Sequence, residues 1–145
     1  MIDVHTHVVP PQLPFGHFPG DLWPRVEVNG DRGDVYMGTT HFRTVTSTAW
    51  DLGRRGDEMM THGVDRQVLS PMPELFCYWA ASKAALAYCR EMNAWLAERV
   101  RGTGSRFDAF GIVPLQDPDA IGRLIAGFAC RHPFDSAVPP TGQNR

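Results

Sequence analysis

The sequence predicts an α/β fold in which strands and helices alternate. Three observations carry that reading. Residues 2–8 form an apolar, β-branched run closed by Pro10 and Pro11, which cannot donate to a sheet ladder. Residues 64–70 and 107–113 are two further apolar runs of strand length. Residues 51–62, 83–101 and 118–128 carry helix signals, with apolar residues at three- and four-residue spacing and cap or stop residues at their ends. Strands joined through helices pair in parallel. Strand one is therefore expected beside strand two, and strand two beside strand three.

In the first strand, side chains two residues apart share a face. Asp3, His5 and His7 are expected on one side. Two imidazoles so placed can reach one metal ion, each with a nitrogen about 2.0–2.1 Å from zinc. The carboxyl end of a parallel strand is also where α/β folds place their sites. A bare His-x-His occurs on edge strands with no ligand role. Here the apolar run around it, and Asp3 on the same expected face, favour a metal.

Composition bounds the rest. The chain has 145 residues, room for at most one domain, and 43% hydrophobic residues, a globular proportion. A net charge of −2 without a basic run argues against nucleic acid or an anionic membrane as partner. No apolar stretch reaches the ~20 residues of a membrane helix, and no signal peptide is visible at Met1. Cys77, Cys89 and Cys130 form no CxxC. They read as small core or near-surface thiols of a reduced, cytoplasmic setting.

Along the chain, residues 10–24 read as a proline- and glycine-rich loop. Its Phe15, Phe18, Leu22 and Trp23 are expected to pack over the site or against the barrel end, and His17 to take a surface or loop-packing role rather than bind a metal. Residues 25–46 alternate around Asn29-Gly30, a hairpin signal, and predict a small antiparallel β-insertion. Asp51 should cap the next helix and Gly63 end it. Arg54, Arg55, Asp57 and Glu58 read as its solvated face, and His62 as a last-turn residue rather than a ligand. The loop from Pro71 to Trp79 is rich in aromatics. Ser82 is placed to cap the long helix, whose stripe is Leu86, Cys89, Asn93, Leu96 and Val100. Buried, Asn93 would need partners in a neighbouring turn. Asp117-Pro118 opens a third helix with Ile121, Leu124, Ile125 and Phe128 as its apolar face. Residues 129–145 read as an irregular tail, in which His132 is expected to be solvated.

The stretch Ile2-Asp3-Val4-His5-Thr6-His7 resembles the first-strand signature of the amidohydrolase superfamily. Phe42-Arg43-Thr44-Val45, Trp50-Asp51, Met59, Gly63-Val64, Gln67-Val68-Leu69-Ser70, Tyr78-Trp79-Ala80 and Val113-Pro114-Leu115-Gln116 follow in order. That series resembles the superfamily's decarboxylase branch from Met1 to about Ile125. The resemblance implies a partial (β/α)8 TIM barrel, its first three βα units, with the β-insertion after strand one. Residues 1–128 would be the barrel part. A whole barrel takes ~250 residues. The resemblance also implies one zinc ion, with His5 and His7 as two of its ligands in an incomplete site. It implies loss of CO2 from a small conjugated carboxylic acid. Arg43 would grip a substrate carboxylate with its planar fork, and Trp79 would contact substrate.

The resemblance places the remaining ligands and catalytic residues on later strands, so none of the catalytic residues is expected in this chain. The chemistry should then be absent or weak, as in a fragment. Met37 stands where the branch carries a lysine, which leaves a lactonase-like metal-dependent hydrolase open. A non-catalytic remnant that self-associates through an open barrel edge is the other alternative.

Overall fold

Residues 2–8 do form the opening strand: β1 is Ile2–Val8. The computed structural model describes residues 1–15, 18 and 22–129. After β1 come β2 (Pro24–Asn29), β3 (Arg32–Met37), β4 (Thr40–Thr46), α1 (Leu52–Thr61), β5 (Arg66–Pro71), α2 (Ser82–Val100), β6 (Phe107–Ala109) and α3 (Pro118–Ala129). Short 3-10 turns lie at Ser47–Ala49 and Pro73–Phe76. His17, Cys130, His132 and the rest of the expected tail beyond Ala129 lie outside the described residues. Among the described residues, no helix is long and apolar enough to cross a membrane.

The strands make two sheets. One is parallel, in the order β1-β5-β6, as the alternation requires. The other is antiparallel, in the order β2-β3-β4. Gly30, with φ 59°, is the first of two residues linking β2 to β3. A hairpin turn needs a positive φ there, which glycine adopts without strain. The end of β1 is tied to this part of the chain, since Val9 N donates to the Ala49 carbonyl at 3.0 Å.

Local signals at the helix ends hold in part. The Asp51 carboxylate accepts from the backbone N–H of Gly53 and Arg54, capping α1, and Gly63 follows the helix with φ 66°. The Asp117 carboxylate accepts from Ala120 N at 2.9 Å, capping α3. Ser82 does not cap α2. It is the first helical residue, and its hydroxyl donates to Asp117, so the starts of α2 and α3 are joined through one carboxylate.

The third strand is shorter than residues 107–113. Phe110 N still donates to the Leu69 carbonyl, at 2.8 Å. Two residues on, the side-chain amide of Asn93 takes both backbone groups of Ile112: Ile112 N donates to Oδ1 at 2.7 Å, and Nδ2 donates to the carbonyl at 2.8 Å. Backbone groups so occupied cannot continue a ladder. Asn93 is buried and finds its partners in the turn after β6.

The core lies on the helix side of the parallel sheet, where Val8, Leu69 and Phe107 pack with Met59, Tyr88, Met92 and Leu96. Leu69 and Ile112 belong to it. Val4 and Phe110 do not; they are 62% and 57% exposed. Ile125 is exposed as well, against its expected place on the apolar face of α3, which buries Ala120 and Leu124 instead. β1 and β6 each pair with β5 alone, so each leaves one edge unpaired among the described residues.

Candidate functional site

His5 and His7 lie together on β1, with ring centroids 5.2 Å apart and planes at 87°. Two imidazoles bound to one ion through ~2 Å bonds at a tetrahedral angle place their ring centres about 5 Å apart. The observed separation equals that spacing and is also that of an ordinary edge-to-face ring pair. Imidazole nitrogen suits zinc and its neighbours in the first transition row.

Asp3 does not join them, contrary to the expectation of one shared face. The β1–β5 register shifts between Asp3 and Thr6. An extra residue in one strand reverses which face the following side chains occupy. Asp3 is turned towards α1, where it lines a polar pocket with Thr6, Arg55, Glu58, His62 and Gln67. Its two oxygens are engaged there: one accepts from His5 N at 3.0 Å, the other from Gln67 Nε2 at 3.2 Å. Among the described residues, no group of three or more His, Cys, Asp or Glu side chains is arranged to hold a metal.

The pocket's central residue is Arg55, which is buried rather than part of a solvated face. Its Nε donates to the Thr48 carbonyl at 2.7 Å and one terminal nitrogen to the His7 carbonyl at 2.8 Å. The other terminal nitrogen donates to the Thr6 hydroxyl and, at 3.3 Å, to Gln67 Oε1. Burial lowers its pKa, and the charges of Glu58 and Asp3 oppose that shift. Residue type suggests a surface role. Spacing suggests otherwise: Leu52, Arg55 and Met59 recur at three and four, so Arg55 shares the buried stripe.

The other two expected site residues are placed separately. Arg43 is exposed on β4, opposite Val35, with its guanidinium 4.8 Å from the Phe42 ring centroid. Among the described residues, no hydrogen bond or ion pair joins it to either histidine. Trp79 is half exposed and packs on Trp23 at 4.9 Å. Trp23 in turn meets Phe18 and Tyr88, and Phe15 meets Tyr88. The loop aromatics thus form a cluster that ends at Trp79. Burial pushes the Cys77 thiol up to about 12 and Cys89 up to about 11, so both are neutral core thiols rather than nucleophiles.

No family model matches the chain. It is 32% identical over 121 residues to 2-amino-3-carboxymuconate-6-semialdehyde decarboxylase of Dictyostelium discoideum, covering 79% of this chain and 33% of that protein. To the enzyme of the same name from Caenorhabditis elegans it is 31% identical over 128 residues, covering 80% of this chain and 30% of that one. The chain resembles the decarboxylases of the amidohydrolase superfamily. It spans about a third of the length of these curated relatives. In structure it is similar to apo IDCase of Metarhizium anisopliae, with a TM-score of 0.68 and 19% identity over 88% of this chain and 39% of that one. It is also similar to 2,6-dihydroxybenzoate decarboxylase from Rhizobium, with a TM-score of 0.56 and 22% identity over 89% and 34%. These likenesses show the fold. The neighbours are TIM-barrel amidohydrolases, and this chain shares their mixed α/β character with a parallel sheet.

The clamp at Arg55 can be tested by denaturation. Hydrogen bonds from charged donors are worth ~1.5–3 kcal/mol each, and buried acceptors left dry add to the loss. Arg55→Met is expected to lower stability by about 3 kcal/mol in urea unfolding. A change within about 0.5 kcal/mol, the range of ordinary surface substitutions, would return Arg55 to the solvated face.

Proposed function

We propose that this chain supplies the opening part of a metal-dependent, decarboxylase-type amidohydrolase barrel. Residues 1–128 make its first three βα units, with 25–46 as the β-insertion. The observation that carries the reading is the His5–His7 pair, spaced for one ion at the carboxyl end of a parallel strand. The ordered match to two decarboxylases supports it. Zinc is the metal proposed. When bound, it supplies Lewis-acid polarisation at the reacting group.

The substrate class is a small conjugated carboxylic acid. One solved neighbour is a complex with 2,6-dihydroxybenzoate, an acid of that kind. Arg43 is the residue proposed to take a carboxylate, because its exposed planar fork matches two oxygens at once. Trp79 offers a half-exposed ring face for a planar substrate. Catalytic zinc sites use about three protein ligands with an open position. The described residues supply two imidazoles, so these residues by themselves are expected to decarboxylate weakly or not at all.

Zinc calorimetry on the 145-residue chain tests the site. Weak binding that disappears in His5→Ala and His7→Ala is expected. Tight binding that survives both substitutions would place the ligands elsewhere.

The role of Arg43 is tested in a full-length relative. Changing the matching arginine to lysine should lower kcat/KM, because an ammonium cannot reproduce the fork; an unchanged value would leave Arg43 a surface residue.

The unpaired edges of β1 and β6 are proposed to drive self-association. Sedimentation should then show species larger than one chain, and a single monomeric boundary at all concentrations would end that idea.

A further inference from the structure

Hydrogen bonding around His7 singles out one more residue. Ser70 faces His7 in register across the β1–β5 ladder. Its Oγ lies 3.4 Å from the Thr6 carbonyl oxygen and 3.1 Å from His7 Nδ1. A carbonyl oxygen only accepts, so both contacts are hydrogen bonds at once only when the serine proton goes to Thr6. The lone pairs of Oγ are then left for Nδ1, and a bond forms there only if Nδ1 carries the hydrogen. A neutral imidazole protonated at Nδ1 keeps a bare lone pair on Nε2. The backbone beneath is also held, since Arg55 donates to the His7 carbonyl at 2.8 Å.

We propose that Ser70 is a positioning residue: it holds His7 in the Nδ1–H tautomer and aims Nε2 outward as a metal donor. The inference rests on the reading of His5 and His7 as ligands. Ligating imidazoles in general donate their second N–H to an oxygen, and losing that partner weakens metal binding ~10–100-fold. The two histidines are unequal in this respect. Among the described residues the His5 ring makes no hydrogen bond, only its edge contact with His7. His5 therefore serves as an internal control.

Long-range 1H–15N NMR of the metal-free 145-residue chain reads each tautomer at about pH 9, where imidazoles are neutral. His7 is expected as Nδ1–H in the wild type and as mainly Nε2–H in Ser70→Ala, with His5 unchanged. Zinc titration in the same spectra should show His7 binding weakened about tenfold or more by Ser70→Ala. Ser70→Thr, which keeps the hydroxyl, should restore both readings. Melting of the metal-free variants should stay close to wild type, since Ser70 and His7 are both only half-buried. A wild-type His7 protonated at Nε2, or a tautomer that Ser70→Ala does not move, overturns the inference and leaves the histidine pair intact as ligands. A tautomer that moves without any change in zinc affinity overturns it too. Zinc that perturbs neither His5 nor His7 in the wild type overturns the metal reading itself, and the inference with it.

Discussion

The guanidinium of Arg55 sits where four parts of the chain meet. It reaches β1 through Thr6 and His7, β5 through Gln67, and the turn after β4 through Thr48, all from its place on α1. An unpaired buried cation is costly, and this one has no carboxylate bonded to it among the described residues. Four neutral oxygens satisfy it instead, and the charges of Asp3 and Glu58 lie close enough to favour its ionised form. Remove the guanidinium and each of those oxygens loses a charged donor. The position of α1 on the sheet, and the backbone of the His7 strand end, both follow from this one group.

The bulge in β1 settles which side chains the site can use. A strand without it would present Asp3, His5 and His7 together, a carboxylate and two imidazoles within reach of one ion. The shift between Asp3 and Thr6 sends the carboxylate to the helix side, where it accepts from Gln67 and from the backbone of His5. The imidazoles keep the opposite face, opposite Ser70. One inserted residue thus divides a possible three-donor set into a histidine pair and a structural carboxylate.

The two open faces have different causes. Val4 and Phe110 are exposed because the parallel sheet offers nothing to cover them among the described residues. Beside β6, a groove of about 480 Å3 lies between α2 and α3, lined by Leu96, Val100, Ile112, Leu124 and Ile125. The single hydrogen bond from Phe110 to Leu69 shows the strand running on towards that groove before Asn93 captures Ile112. Strand length here is set by a side chain on a neighbouring helix.

Much of this was legible in the sequence, because the signals involved are local. The alternation of strands and helices, the Asn29-Gly30 hairpin, the Asp51 and Asp117 caps and the Gly63 stop each depend on a few adjacent residues. The histidine pair was legible for the same reason: two residues on one strand need only its pleat to meet. Asp3, one pair earlier, was not, because a bulge depends on how β1 registers against β5, 64 residues away in the chain. Arg55 was half legible, its spacing announcing burial and its charge denying it. Ser70 and Ser82 were beyond reach, since nothing local says that a serine will face His7 or Asp117. By itself the sequence determined the elements, their order and the side-by-side placement of His5 and His7. Only the tertiary structure decided which polar side chains face each other, because those contacts join residues brought together by sheet register and helix packing.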